Sequence, residues 1–326
     1  MSFFNKAGTK KSTGLVRMVS AVVVLGVLVL FAAETAKYLY TARIPASVSS
    51  RLDPSVDKLA AVLGAAKTSL DSLYVAGNTF TADDTTTAPA TELAAKIGLF
   101  ADSHTNLENL RRALIQAKSM DVARAVFLGD YTDYGEEAAL ADAKKVMDGS
   151  GVAYVSLPGD HDIAETRDAS NFVTVFGKTF GVWEQGGYEF VYFDNSRNYT
   201  AIDAAGITWF KDHIPSADFL FLSQPLVTAS MSRVMGIIDG VKDAAVYAQN
   251  EEMLALVRAS TVRVIVAGDL HEFSRFVDPV RPELQHYTVG AIAAQGLKER
   301  NAYRPRFAVL TVFTDGSYTI DDTPIE

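Results

Sequence analysis

Short apolar runs alternate with stretches of helical periodicity from residue 94 to residue 267. The apolar runs have the length of buried strands; they cover residues 97–100, 123–128, 152–157, 189–193, 219–222 and 262–267. The stretches with helical spacing cover residues 107–119, 136–147, 205–213 and 250–259. This alternation predicts an α/β fold in which helices layer on a largely parallel sheet.

The pattern changes near the C-terminus. Residues 285–289 predict a further strand, and two apolar runs at 307–313 and 317–320 flank the turn sequence Thr314-Asp315-Gly316. An Asp-Gly pair between two apolar runs is a strong signal for a hairpin. The sequence therefore predicts that an antiparallel part completes a domain over residues 94–326.

The N-terminus has a continuous apolar pattern in place of a periodic one. Residues 18–33 are uncharged and strongly apolar, and a basic stretch precedes them: Lys6, Lys10, Lys11 and Arg17. With Arg17 snorkelling, residues 15–35 come close to the roughly 20 residues that a membrane helix needs. The basic residues predict a cytoplasmic tail over 1–14, a single-pass signal anchor over 15–35 and an extracytoplasmic body. A cleaved signal peptide with a secreted body is the alternative.

Residues 36–93 connect this predicted anchor to the main domain. Apolar residues at helical spacing over 54–75 predict a stalk helix. Residues 79–91 are rich in Thr, Ala and Asp and lack apolar periodicity, which is typical of a linker.

Composition narrows the classes of function. The net charge of -9 argues against a nucleic-acid-binding surface, because a general phosphate lattice needs a basic one. The chain has no cysteine, which excludes disulfides, thiolate metal sites and cysteine nucleophiles. It has only five histidines, so their positions are informative.

Polar residues gather where four of the predicted strands end. They form the clusters Asp102-Ser103-His104, Gly129-Asp130-Tyr131-Thr132-Asp133, Gly159-Asp160-His161-Asp162 and Gly268-Asp269-Leu270-His271. Because ligands of open α/β sheets bind at the carboxyl ends of strands, we expect these clusters to converge. Converging buried carboxylates repel one another unless cations offset them. Carboxylate and imidazole ligands without thiolate suit Mn, Fe, Zn or Mg.

The ordered clusters resemble the motifs of the calcineurin-like metallophosphoesterases: DxH, GDxxD, GNH[DE], a His before Pro, and GHxH. The resemblance runs from about residue 97 to the C-terminus and implies a β-sandwich flanked by helices, with two metal ions. It implies a first metal site built from Asp102, His104, Asp130 and His271, with Asp130 bridging to a second ion. It further implies that His161, steadied by Asp162, acts on the phosphate or protonates the leaving group.

The second site departs from the family pattern. Asp160 replaces the Asn, Ser223 stands where a His is expected with Gln224 one residue away, and Asp269 replaces the first His of GHxH. The second-site ligands would then be Asp130, Asp160, Gln224 and Asp269, an oxygen-rich set that favours Mg, Mn or Ca. Four carboxylates would balance two divalent cations and weaken the attraction for an anionic substrate.

The resemblance implies hydrolysis of a phosphomonoester or phosphodiester by metal-activated water. Two alternatives stay open. One is a one-metal enzyme in which Asp269 or Asp160 acts as a base or supports a ligand. The other is a membrane-tethered binding module that keeps the fold without turnover. Loop arginines that could clamp a phosphate are Arg167, Arg275, Arg300 and Arg304, and residues 227–247 could cap the cleft.

Overall fold

The computed structural model describes residues 91–196, 200–226, 233–238, 241–293 and 304–326. The helices in these ranges are α1 (Leu107–Ser119), α2 (Glu137–Gly149), α3 (Ser170–Phe176), α4 (Ala204–His213) and α5 (Ala244–Arg258), with a 3-10 turn at Ile214–Ser216. The strands are β1 (Leu93–Phe100), β2 (Arg124–Phe127), β3 (Ala153–Ser156), β4 (Phe180–Gln185), β5 (Tyr188–Phe193), β6 (Phe219–Leu222), β7 (Ile237–Ile238), β8 (Val241–Lys242), β9 (Val264–Ala267), β10 (Ser274–Val277), β11 (Gln285–Thr288), β12 (Arg306–Phe313) and β13 (Tyr318–Pro324).

The long strands form two mixed sheets. The first has the order β13-β12-β1-β2-β3, and the second has the order β10-β11-β9-β6-β5-β4. In the first sheet β1, β2 and β3 are parallel, whereas β12 runs antiparallel to β1. In the second sheet β5, β6, β9 and β11 are parallel. The predicted C-terminal hairpin is present as β12 and β13.

Alternate residues of the central strands face different cores. Ile97 and Leu99 of β1 share a core with Phe219 and Phe221 of β6, so this core lies between the sheets. Residues of the opposite parity face outward: Phe127 of β2 packs with α1 and α2. In the same way, residues of β6 and β9 pack with α4 and α5. Because the central strands are covered on both faces, strands such as β6 and β9 are apolar on both sides, whereas the edge strands β4, β10 and β13 are partly exposed.

The architecture is therefore a mixed α/β sandwich with helices on its outer faces. The residue pattern alone suggested one largely parallel sheet, and that interpretation was wrong; the resemblance correctly implied the sandwich. Buried parallel strands of either sheet have the same continuous apolar sequence, so the pattern does not show which sheet a strand joins.

The predicted tail 1–14, the anchor 15–35 and nearly all of the stalk and linker 36–93 lie outside the described residues. Among the residues that are described, none of the helices is both long and apolar enough to span a membrane.

Candidate functional site

The carboxyl ends of the parallel strands bring the predicted polar clusters together. The backbone amide of Asp102, after β1, donates to the carbonyl oxygen of Gly129 at 3.0 Å, and that of His104 donates to the carbonyl of Asp130 at 3.0 Å. The amide of His161, after β3, donates to Oδ1 of Asp130 at 3.0 Å. The amide of Asp269, after β9 of the second sheet, lies 3.3 Å from Oδ1 of Asp102. The loops of both sheets thus meet at Asp102 and Asp130.

The backbone at these positions is unusual. Asp102, His104, Asp130, Asp269 and His271 all have positive φ values, between 42° and 71°. Non-glycine residues rarely adopt this left-handed conformation, and such strain concentrates at functional sites. These sharp turns lie in the loops after β1, β2 and β9, which carry the candidate ligands.

Four of these predicted residues form a compact cluster. One ligand atom each from Asp102, His104, Asp130 and His271 lies within 4.8 Å of the other three. Nε2 of His104 is 3.2 Å from Nε2 of His271, and the latter is 3.5 Å from Oδ1 of Asp102. Two imidazole nitrogens and two carboxylates at this spacing suit a divalent transition metal.

Asp133 orients one of the imidazoles, a role that the sequence analysis did not assign. Its Oδ1 lies 3.2 Å from Nδ1 of His104, and its Oδ2 accepts a hydrogen bond from Thr105. A carboxylate at Nδ1 favours the tautomer whose Nε2 lone pair is available to a metal. Asp133 is the last residue of the GDxxD motif at Gly129–Asp133. Because metal-binding histidines commonly pair with a carboxylate, this conspicuous Asp could have been predicted as the partner of a ligand histidine.

The electrostatics of the cluster fit a cation. Burial raises the pKa of Asp102 well above its ordinary range, and the charge of Asp269 raises it further. Burial and the charge of Asp160 do the same for Asp130. Burial lowers the pKa of His104 to about 4, with His161 and His271 adding to the effect. Oδ2 of Asp102 is buried and accepts no hydrogen bond from the described residues. A divalent cation would relieve the repulsion and occupy this acceptor.

A second cluster adjoins the first and shares Asp130. Ligand atoms of Asp130, Asp160 and His161 lie within 4.8 Å of one another. The imidazoles of His104 and His161 have centroids 4.8 Å apart. The predicted bridging position of Asp130 is therefore geometrically available, and His161 joins the oxygen ligands as a further candidate.

Asp269 and Gln224 lie together beside this second cluster. Burial raises the pKa of Asp269 to about 6, and the negative charge of Asp160 contributes in the same direction. Arg233 and a hydrogen bond from Gln224 act in the opposite direction. Nη2 of Arg233 is 3.9 Å from Oδ1 of Asp269. Whether Gln224 binds a metal directly stays a prediction.

The structure gives Asp162 a different role from the expected one. Its carboxylate accepts hydrogen bonds from the amides of Tyr131, Thr132 and Gly159 and from the hydroxyl of Thr132. The Nδ1 atom of His161 instead lies 2.9 Å from the carbonyl oxygen of Asp133. Asp162 therefore fixes the loop that carries Asp130, and the expectation that it steadies the His161 ring is corrected.

Asn195 is a second residue that the sequence analysis missed. Its side chain is fully buried, and its Oδ1 accepts from the backbone amides of Ser223 and Gln224 at 2.9 Å each. Its Nδ2 donates to the carbonyl of Gln224 at 2.8 Å. Asn195 follows β5 and thus shapes the neighbouring loop after β6, where the family pattern expects a histidine. A lone Asn in the stretch Asp194-Asn195-Ser196 carries no sequence signal for this role.

Comparison with known proteins agrees with the fold. Among solved structures, the chain is similar to a dimetal phosphatase from Danio rerio, with 14% identity and a TM-score of 0.51 over 72% of this chain and 100% of that one. It is also similar to a purple acid phosphatase from yellow lupin (Lupinus luteus) seeds, with 13% identity and a TM-score of 0.53 over 73% of this chain and 52% of that one. At these identities the similarity concerns the fold. No protein of curated function matches the sequence.

The family model for calcineurin-like phosphoesterases matches residues 95–273, which is more than half of the 326 residues. The matched region contains both clusters of candidate ligands. The chain therefore belongs to the calcineurin-like phosphoesterase family.

Proposed function

We propose that this protein hydrolyses a phosphate ester with a water molecule activated by divalent metal. The observation that carries the proposal is the buried cluster of Asp102, His104, Asp130 and His271, in which Oδ2 of Asp102 accepts no hydrogen bond from the described residues. The structural similarity to a dimetal phosphatase and a purple acid phosphatase supports the same reaction class.

Each residue has a separate part in this proposal. Asp102, His104, Asp130 and His271 would hold a first ion, and Asp130, Asp160, Gln224 and Asp269 a second. When bound, the ions supply the Lewis acidity that activates water and offsets charge on the phosphoryl group. The second set is rich in oxygen and favours Mg, Mn or Ca, whereas the first accepts Mn, Fe, Mg or Zn.

His161 would supply the proton for the leaving group. Its Nδ1 lies at the carbonyl oxygen of Asp133, so a proton on Nδ1 is held there and Nε2 remains to act on the substrate. His161 is also a member of the second cluster. If His161 donates a proton, its loss should slow esters with poor leaving groups most. If it binds a metal, its loss should slow all esters equally.

The test compares esters with good and poor leaving groups. With Mn²⁺ saturated, we expect hydrolysis of p-nitrophenyl phosphate or bis(p-nitrophenyl) phosphate by the full chain, and near-background rates for Asp130→Ala. The hydrolysis rate of His161→Ala should fall by about 10²- to 10⁴-fold for an ester with a poor alkyl leaving group and by less for one that releases p-nitrophenolate. Asp142→Asn is the control, since Asp142 is an exposed residue that pairs with Lys145.

The outcomes separate the alternatives. If the wild type hydrolyses the esters no faster than Asp130→Ala does, the protein is a non-catalytic binding module and not an enzyme. A stoichiometry of one metal ion with full turnover would favour the one-metal enzyme. Loss of metal in His161→Ala, with equal losses for both leaving groups, would make His161 a ligand instead of an acid.

We also propose that residues 15–35 anchor the protein in a membrane with the phosphoesterase domain on the extracytoplasmic side. The support is the uncharged apolar run and the basic residues ahead of it. Extraction of membranes with alkaline carbonate should leave the intact chain in the pellet, and external protease should degrade the domain in intact cells. A mature N-terminus beyond residue 30 would instead show the cleaved, secreted form.

A further inference from the structure

Arg233 places a positive charge beside the second cluster. Its Nη2 is 3.9 Å from Oδ1 of Asp269. The side chain of Asp269 is only 6% exposed, whereas that of Arg233 is 45% exposed. Arg233 thus reaches from a solvent-accessible position to a buried carboxylate of the candidate centre.

The backbone directly after Arg233 is fixed. The amide of Met235 donates to the carbonyl of Pro225 at 3.1 Å, and Nδ2 of Asn250 donates to the carbonyl of Met235 at 2.8 Å. The Met235 side chain is fully buried in the core under α5. Gly236 has a φ of 84°, and a Cβ there would lie 2.6 Å from the amide nitrogen of Tyr247. Arg233 therefore lies two residues before Met235, whose backbone and side chain are both fixed by contacts with the core.

Arg233 would offset the low net charge of a centre that holds two divalent cations. The carboxylates of Asp102, Asp130, Asp160 and Asp269 would neutralise two divalent cations and leave little attraction for a phosphate. A guanidinium next to Asp269 restores one positive charge at the centre. Because the guanidinium carries five N–H donors in a planar fork, it can keep a carboxylate partner and still bind two phosphate oxygens.

We propose that Arg233 binds the terminal oxygens of a phosphomonoester dianion, and that Asp269 holds its guanidinium at the centre. A monoester offers more terminal oxygens and one more negative charge than a diester, so a bidentate cation favours monoesters. This inference rests on the proposed hydrolysis of a phosphate ester. It makes Arg233 a specificity-determining residue and narrows the substrate class.

The test measures binding of inorganic phosphate and of dimethyl phosphate by isothermal titration calorimetry. The full chain is purified in detergent, loaded with Mn²⁺ and compared with Arg233→Ala, Arg233→Lys and the control Arg111→Ala. Arg111 is an exposed arginine of α1 that pairs with Glu108. We expect Arg233→Ala to weaken phosphate binding by about tenfold or more. The affinity for dimethyl phosphate should fall by less. Arg233→Lys should recover part of the affinity for phosphate, and Arg111→Ala should bind phosphate as tightly as the wild type does.

Three results would overturn the inference: wild-type affinity for phosphate in Arg233→Ala, equal losses for phosphate and dimethyl phosphate, or loss of Mn²⁺ from Arg233→Ala by elemental analysis. Absence of phosphate binding in the wild type would also overturn it. Failure of the proposed function gives a different pattern, in which the wild type binds phosphate through Arg233 but does not hydrolyse esters. If Arg233→Ala hydrolyses phosphate esters as fast as the wild type does, the proposed function stands and the role of Arg233 is refuted.

Discussion

The carboxylate of Asp133 lies 3.2 Å from Nδ1 of His104, which leaves Nε2 as the nitrogen that a cation would use. Outer contacts of this kind typically change metal affinity by about 10- to 100-fold. We therefore expect Asp133→Asn to weaken Mn²⁺ binding by about tenfold or more, as measured by isothermal titration calorimetry. Thermal unfolding should change little, because the Asp133 side chain is 50% exposed. Asp142→Asn is the matched surface control, and equal affinity in Asp133→Asn and wild type would show that the contact does not orient a ligand.

Asp269 should determine the choice of the second metal. Replacing it by His restores a softer ligand and removes one buried negative charge that repels Asp102 and Asp160. We expect Asp269→His to shift preference from Mg²⁺ and Mn²⁺ toward Zn²⁺. Elemental analysis after incubation with equimolar Zn²⁺ and Mn²⁺ measures the shift. An unchanged ratio of bound metals would place Asp269 outside the second metal site.

The candidate ligands were predictable because each follows an apolar run, and parallel strands end at the same edge of a sheet. Asn195 and Arg233 were not, because their roles depend on contacts with distant loops. The arginines that the sequence suggested were Arg167, Arg275, Arg300 and Arg304. Among these, Arg275 lies on β10 and donates to Gln285, whereas Arg233 approaches Asp269. The position of an arginine in the sequence does not show which arginine lies close to the clustered carboxylates.

At the scale of elements, the loops after β2 and β3 touch through glycine. A Cβ at Gly159 would collide with the backbone nitrogen and the carboxylate of Asp130. We expect Gly159→Ala to displace Asp130, to lower the stability by about 1–3 kcal/mol and to weaken Mn²⁺ binding. Calorimetric titration and urea unfolding measure the two effects.

Gly149 supplies the control for this loop contact. It lies at the end of α2, and a Cβ there would meet nothing within 4 Å. Gly149→Ala should leave Mn²⁺ binding unchanged and stability unchanged or slightly higher, since Ala is the better helix former. Similar behaviour of the two variants would mean that the close approach of the loops does not position Asp130.

Asp278 joins α5 to the edge of the second sheet. It follows β10, is fully buried, and accepts three hydrogen bonds from Arg258 at 2.9–3.1 Å. Nε2 of His286 on β11 lies 3.1 Å from its Oδ2. Because Asp278→Asn would leave Arg258 and His286 without a charged partner, we expect it to cost about 3 kcal/mol in urea unfolding at neutral pH.

The same residue predicts a dependence on pH. Burial alone would raise the pKa of Asp278, but hydrogen bonds from Arg258 and from the amides of Arg281 and Val280 outweigh it and lower the pKa from 3.8 to about 2. A lowered pKa stabilises the fold above about pH 4, and this contribution is lost as the pH falls toward 2. The difference in stability between wild type and Asp278→Asn should shrink over that range. A constant difference would show that the ionised carboxylate is not what the variant removes.

Helix boundaries were predictable where a cap and a periodic face coincide. The predicted helix at 107–119 matches α1, whose N-cap Asn106 accepts from the amide of Asn109. The predicted helix at 250–259 begins too late, because α5 starts at Ala244 behind the cap Asp243. Strand β4 was missed, although Gly186 and Gly187 mark the turn after it. Its residues alternate between exposed and half-buried positions, so its apolar contrast is weak.

At the scale of the whole molecule, bound metal should stabilise the fold. Asp102, Asp130 and Asp269 are buried near one another, and their repulsion opposes folding when no cation is present. A ligand at about 100 times its Kd adds about 2.7 kcal/mol. We expect EDTA to lower the Tm in calorimetry and Mn²⁺ to restore it, with little response in Asp130→Ala. An equal Tm in EDTA and Mn²⁺ would indicate that the cluster does not bind the ion.

The position of β1 has a consequence for how the protein is made. β1 is the first strand of the domain, yet it lies in the middle of its sheet, between β2 and β12. During translation β2 can pair with it early, but β12 begins only at Arg306. The nascent chain therefore carries an open, apolar strand edge until β12 has been synthesised, and such edges invite aggregation. The first strand of the domain to be synthesised is among the last to be fully paired, so its sheet is expected to close only after β12 and β13 have left the ribosome.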